Sequence, residues 1–316
     1  MDSLFTSDDK IKVVKSPFSA YENEGAKYDG QNRNVRLEEV ISRVQRNQIK
    51  AYDYLILEAV SELEFATSRM VTQYLLLRNV EDITQEKVHR RLKFLKDCKV
   101  VGRYLFFNEE TETNLRIYCL EKHGKTLLLG RNYPCKWKPT DSIRVGDMKS
   151  ILARNQVLMA FRVKVKNLAS YEINPSVKLV KSANIFNPHL LITLDVQGKK
   201  EEIFFESVRS YQGYRESAIE RLKKYEEYYN YFTPTADKME PPKFIIIGED
   251  DIHLFEIFKS TLKANINFKD MGIIYTHDLR VLDNEINKSF IRFDMKSENG
   301  KAKAKLTELN YAAIQL

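Results

Sequence analysis

Thr84-Gln-Glu-Lys-Val-His-Arg-Arg-Leu-Lys-Phe-Leu-Lys96, followed at once by Val100-Val-Gly-Arg-Tyr-Leu-Phe-Phe107, is the stretch whose reading decides the fold. Val88, Leu92 and Leu95 recur at helical spacing and can face a core, while Lys87, Arg90, Arg91 and Lys93 fall largely on other faces. Thr84 suits the N-cap. Upstream, Tyr54, Leu55, Leu57, Ala59, Val60 and Leu63 predict one amphipathic helix, and Thr67 or Ser68 can cap a second that carries Met70, Val71, Tyr74, Leu75 and Leu77. Downstream, 100–107 and 114–120 are rich in β-branched and aromatic residues and are separated by the polar run 108–113, as in a hairpin. Helix, helix, basic helix, hairpin is the order of a winged helix-turn-helix.

Charge supports a nucleic-acid partner locally rather than globally. The formal net charge of +7 is spread evenly: residues 1–144 hold 25 Lys and Arg against 21 Asp and Glu, and residues 145–316 hold 26 against 23. Between Thr84 and Leu105, however, seven cations face only Glu86 and Asp97, a local balance of +5. Phosphate neutralisation requires such a concentration. A charge run is often no more than a solvated helix face. The preceding helices and the following hairpin tip the reading to double-stranded DNA. The expected DNA-contacting set is Thr84, Gln85, Lys87, His89, Arg90, Arg91, Lys93 and Arg103. In it Gln85 and His89 are candidates for base edges, and Arg103 for the wing's contact with the backbone or minor groove.

The 316 residues suffice for two domains with their own cores, and 43% apolar with 30% charged residues is the balance of an ordinary cytoplasmic protein. No apolar run reaches membrane-spanning length, and no secretory leader pattern opens the sequence, so neither a membrane nor an export role is expected. Cys98, Cys119 and Cys135 have no disulfide or metal spacing, and the five histidines are scattered singly. No cofactor is expected. No GxxxxGK[ST], GxGxxG or GxSxG motif is present, which removes motif support for nucleotide hydrolysis and serine hydrolase chemistry.

The expected organisation is a mobile N-terminal arm over 1–34, a DNA-binding domain over 35–131, a linker over 132–146, an α/β domain over 147–298 and a tail over 299–316. Within the α/β domain the pattern predicts a helix over 147–166, a hairpin of 190–196 with 202–208, a helix over 213–231, a buried strand at 243–248, a helix over 251–264 and a strand at 271–276. Tyr225, Tyr228, Tyr229, Tyr231 and Phe232 invite a base-stacking reading, but their helical spacing favours packing of Tyr225 and Tyr229 on a sheet. Asp250 or Asp251 suits a helix N-cap.

Tyr118-Cys-Leu-Glu-Lys-His-Gly-Lys125, Phe204-Phe-Glu-Ser207 and Leu222-Lys-Lys-Tyr-Glu-Glu-Tyr228, taken with the predicted winged helix, resemble the replication-relaxation family of plasmids and mobile elements. The likeness runs over residues 50–280. It implies an α+β protein in which an N-terminal winged helix-turn-helix precedes a C-terminal α/β domain of the restriction-endonuclease-like kind. It also implies work in plasmid replication, maintenance, mobilisation or their control, alongside replication or mobilisation proteins of the same element or as a homodimer. Nucleases of that fold gather divalent metal with an Asp on one strand and a Glu-x-Lys on the next. Here those positions read Pro188-His189 and Glu206-Ser207-Val208, so the aspartate and lysine are both missing. Asp195 is the substitute carboxylate for a residual metal site with Glu206, and Arg209, Lys223 or Lys224 the substitute cation. The expectation is a DNA-binding accessory or regulatory protein without catalysis. A metal-dependent nuclease using Asp195 and Glu206, and a protein-interaction module, are the alternatives.

Overall fold

The computed structural model describes residues 16–21, 24–29, 35–107, 114–135, 137, 139, 143–234, 240–267, 272–298 and 301–316. They form a mixed α and β protein with two compact units, Ala20–Met159 and Ala160–Leu316, the latter joined by the segment ending at Ser19. The expected turn 108–113 and the arm before Ser16 lie outside the described residues.

In the N-terminal unit, β1 (Gly25–Tyr28) and α1 (Leu37–Gln45) precede α2 (Ala51–Leu63), β2 (Phe65–Ala66), α3 (Ser68–Leu77) and α4 (Gln85–Asp97). Strands β3 (Val101–Phe107) and β4 (Asn114–Leu120) and helix α5 (Lys122–Leu129) follow. Both expected caps form: Thr67 Oγ1 accepts from Met70 N and Thr84 Oγ1 from Lys87 N, each at 3.2 Å. Helix α2 buries Tyr54, Ile56, Leu57, Ala59, Val60 and Leu63; Ile56 rather than Leu55 faces inward. Val88, Leu92 and Leu95 of α4 are fully buried. The strands run antiparallel in the order β1-β3-β4-β2.

Part of the expected arm is therefore sheet. Gly25 pairs with Phe107 of β3 and lies under its exposed ring, 2.4 Å from where an added Cβ would sit, so a larger residue there would turn that ring aside. Tyr28 completes the attachment: its ring meets Tyr104 edge-on at 5.2 Å and its hydroxyl donates to Glu121 at 2.6 Å. The expected linker is also tied down where it is described. Trp137 Nε1 donates to the Leu120 carbonyl at 2.8 Å, and Ser61 Oγ donates to Cys135 Sγ. Gly124 of the Tyr118–Lys125 motif admits α5 against the Val100 carbonyl, which a Cβ would meet at 2.2 Å.

Helix α6 (Val145–Lys164) was expected to belong wholly to the second domain, but its residues up to Met159 belong to the N-terminal unit. The cause is a buried polar anchor. Arg154, 1% exposed, donates to Glu64 at 2.9 Å, and Asn155 Nδ2 donates to the carbonyls of Leu63 and Phe65. Those bonds hold the chain where Glu64 leaves α2 with a positive φ of 64°.

The C-terminal unit contains β5 (Leu168–Ile173), the short pair β6 (Val177–Lys178) and β7 (Ile185–Phe186), then β8 (Leu190–Val196), β9 (Lys199–Ser207) and α7 (Tyr214–Asn230). β10 (Lys243–Gly248), α8 (Asp251–Lys263), β11 (Ile274–His277), α9 (Asp278–Asp283), β12 (Phe290–Glu298) and β13 (Lys301–Leu309) complete it. Seven strands align as β13-β12-β11-β10-β9-β8-β5, with β9, β10 and β11 parallel and the flanking pairs antiparallel. The expected tail is thus mostly an edge strand. The hairpin turn is Gln197–Gly198, one step earlier than the Gly198-Lys-Lys expected, so β9 already begins at Lys199.

Alternation along β9 sorts its two faces. Phe204 meets Tyr225 of α7, whereas Phe205 meets Phe161 of α6 at a centroid distance of 5.6 Å. Tyr225 and Tyr229 are core residues, Tyr225 packing on Phe244 with ring centres 4.2 Å apart. Asp250 caps α8 by accepting from His253 N at 2.8 Å. At the carboxyl ends of the parallel strands the fully buried Arg209 donates to Asp278 Oδ1 at 3.1 Å, and Ser16 donates to the other oxygen of Asp278. Ser16, expected in a mobile arm, is therefore buried with the C-terminal unit.

Candidate nucleic-acid interface

Helix α4 carries the cations, and the structure divides them into two kinds. Arg90 and Lys93 are exposed; Arg90 pairs with the exposed Glu86 at 3.8 Å, and Lys93 has no partner among the described residues. Lys87 is exposed and spends one ammonium hydrogen on the Asp82 carbonyl, 2.6 Å away. His89 is half-buried without a partner among the described residues. Thr84 acts as the cap, which places it at the helix start.

Arg91 and Arg103 are committed elsewhere. Arg91 Nε donates to Asp53 Oδ1 at 2.8 Å, its Nη2 donates to Asp53 Oδ2 and to the Gln48 carbonyl, and its guanidinium lies 4.5 Å from the Phe94 ring centre. Asp53 is fully buried. This two-pronged pair joins α4 to α2 and leaves little of Arg91 for a ligand. Arg103 pairs with Asp29, beside β1, and lies at the base of the hairpin rather than toward its tip. Both were expected to contact DNA; their partners are far away in sequence, so their own helix and strand patterns could not reveal the commitment.

The structure adds residues that the charge run did not show. Gln85 Nε2 donates to Ser68 Oγ at 3.4 Å, so the first turns of α3 and α4 adjoin and the exposed Arg69 stands beside the basic helix. The signal was present in Ser68-Arg69 directly after the cap Thr67. A cavity of 470 Å³ opens between Lys50 and Tyr52 at the start of α2, the turn before α4, and Lys87, Arg90 and Arg91. That turn is shaped by Asn79 and Asp82 at φ 55° and 52°, residue types that tolerate the left-handed region.

The second candidate centre surrounds Glu206, which is 2% exposed on β9. Arg221 grips its carboxylate with Nε and with Nη2, the latter at 2.8 Å, and Tyr225 donates its hydroxyl at 2.7 Å. His189 Nδ1 lies 3.4 Å from Oε1. Burial pushes the carboxyl up, but His189, Arg221 and Tyr225 together outweigh it and hold Glu206 below the usual carboxylate range. His189 Nδ1 also accepts the Ser207 N–H at 3.0 Å.

Asp195 does not join this centre. It is exposed at the hairpin turn, where Oδ1 accepts from Gly198 N at 2.7 Å. Its cross-strand partner is Lys200, whereas Leu190 faces Phe205 at the other end. Six residue steps of strand separate Asp195 from the Glu206 level, about 20 Å, so the two carboxylates cannot share an ion. Arg209 is bound to Asp278, Lys223 and Lys224 are exposed, and the cation beside Glu206 is Arg221, one turn before Tyr225 on α7. Among the described residues no group of three or more His, Cys, Asp and Glu is arranged to hold a metal, and no helix is long and apolar enough to cross a membrane.

No family model, curated protein or solved structure matches the chain. The functional reading therefore stands on these side chains.

Proposed function

We propose that the protein binds duplex DNA through a winged helix in its N-terminal unit and serves as an accessory or regulatory factor of plasmid or mobile-element replication, maintenance or mobilisation. The observation that carries this reading is the exposed row Lys87, Arg90 and Lys93 on a helix locked to its neighbour by the buried Arg91–Asp53 pair. Cations on a rigid helix can follow phosphates without a large ordering cost. The helix, helix, basic helix, hairpin order supports docking in the major groove, with Gln85 and His89 beside the base edges and Arg69 at the flanking backbone. A factor that serves a plasmid would work in the cytoplasm, where the plasmid is.

The C-terminal unit is read as a nuclease-like domain whose carboxylate has become structural. Arg221 supplies the positive charge where a divalent ion would otherwise balance Glu206, and Tyr225 occupies one oxygen. A role in dimerisation or in contact with replication or mobilisation proteins is the remaining use of such a domain. Supercoiled plasmid incubated with the protein and Mg²⁺ or Mn²⁺ is expected to stay intact; nicking that disappears in Glu206→Gln would overturn this.

The DNA reading is tested by fluorescence anisotropy over a salt series. Arg90→Ala with Lys93→Ala is expected to reduce the slope of log K against log salt by about 2, near 0.9 for each phosphate no longer neutralised. Unchanged affinity and slope would remove these residues from the interface. Failure of the unaltered protein to retard any duplex at low salt would point to a protein partner instead.

A further inference from the structure

We infer that the cavity beside the basic helix binds a phosphorylated nucleoside. Its 470 Å³ falls in the size range of small-ligand sites, and its wall offers two kinds of chemistry. Lys50, Lys87 and Arg90 suit a phosphate. The Lys50 ammonium has no partner among the described residues, Lys87 retains donors beyond its bond to Asp82, and Arg90 is held by a single solvated pair with the exposed Glu86. The half-buried Tyr52 ring, with Val80 and Ile83 in the same wall, suits a planar base.

Each half of the site excludes a simpler ligand. Inorganic phosphate would leave the tyrosine and the two aliphatic side chains uncovered, and an uncharged aromatic would leave three cations unmatched. With Arg91 neutralised by Asp53, the lining holds three cations, Lys50, Lys87 and Arg90, against Glu81 and Asp82, a formal balance of +1. The two acids offer acceptors for an exocyclic amine or a ribose hydroxyl. Burial pushes the Tyr52 hydroxyl up, so it stays neutral beside an anion at neutral pH.

The same chemistry is carried by a free nucleotide and by an unpaired nucleotide of bound DNA. The site rests on the DNA-binding reading only in that Lys87 and Arg90 serve both, so a filled cavity alters duplex binding. Calorimetric titration of the full chain with adenosine 5′-monophosphate is expected to show saturable binding, with adenosine and inorganic phosphate each about ten-fold weaker or more. Tyr52→Ala is expected to weaken it by about five-fold or more, the lower end of what loss of base stacking does, and the exposed Lys50→Ala by several-fold.

A blunt duplex and the same duplex with one 5′-overhanging adenosine nucleotide separate the sources. Tighter binding of the overhanging duplex that disappears in Tyr52→Ala assigns the cavity to an unpaired DNA nucleotide. Equal binding of the two duplexes, with the mononucleotide displacing both, assigns it to free nucleotide. No saturable mononucleotide binding together with equal duplex binding, or effects that Lys50→Ala and Tyr52→Ala leave unmoved, overturns the proposal. If the blunt duplex is not bound while the mononucleotide is, the DNA-binding reading falls and the cavity assignment stands.

Discussion

Arg91→Ala is expected to destabilise the N-terminal unit by about 3–5 kcal/mol, because it leaves the carboxylate of Asp53 buried without its counter-charge. Arg90→Ala, one position away, is expected to change stability by no more than about 0.5 kcal/mol, since the side chain is exposed and its ion pair at 3.8 Å is solvated. Urea unfolding followed by fluorescence checks both. Trp137 is the single tryptophan of the chain and belongs to this unit, where its indole donates to Leu120. Asp53→Asn added to Arg91→Ala should recover part of the loss, because the amide removes the charge while its oxygen can still accept from Lys50 N, as Asp53 does at 2.7 Å. A loss for Arg91→Ala below about 1 kcal/mol, or no recovery in the double variant, would show that the pair is not what fastens α4 to α2.

The contrast between these neighbours marks the limit of what the sequence could tell. Helices α2, α3 and α4 were legible because their apolar residues recur at helical spacing and their caps are threonines in the right places. Arg90 and Arg91 were indistinguishable, because the residue that separates them, Asp53, lies 38 positions away. The same holds for Glu206: its isolation from Asp195 follows from strand register, and its real partner Arg221 sits 15 positions on, in the helix from which Lys223 and Lys224 were expected to supply the cation.

Edges of sheets were the other loss. β1 has four residues, Gly25–Tyr28, too few to show an alternating pattern, and it is placed by pairing with β3 far along the chain. β13 alternates lysine with alanine over 301–305, which reads as a charged tail; charge on an outermost strand is also how an edge is kept from pairing with another chain. By contrast β10, the continuous run Phe244-Ile-Ile-Ile247, reads as a strand buried on both faces and is one, since no polar residue interrupts it.

Acidification is expected to cost the C-terminal unit about 3 kcal/mol between pH 6.5 and 4.5, with His253 as the principal cause. The residue is 6% exposed; Nδ1 accepts the Glu249 N–H at 3.1 Å, and Nε2 is buried without a hydrogen-bond partner among the described residues. Burial, then the nearby Arg209 and Arg215, pull its pKa down to about 3, against the opposing pull of Asp250 and Glu256. The unfolded chain takes up this proton near pH 6.5 and the folded chain only near 3. The stabilisation is therefore fully present above pH 6.5 and is lost below it at about 1.4 kcal/mol per pH unit. Burial lowers His277 too, which acts in the same direction. Glu206 belongs to a lower window: its depressed carboxyl contributes stability that is present above the unfolded value of about 4.3 and disappears only as pH falls through the folded one. Hydrogen exchange of the β10 amides across this range isolates the C-terminal unit from the N-terminal one. His253→Gln, which keeps an acceptor for Glu249 N, should flatten the dependence between pH 6.5 and 4.5 by more than half; an unchanged slope would mean that His253 already carries its proton in the folded protein.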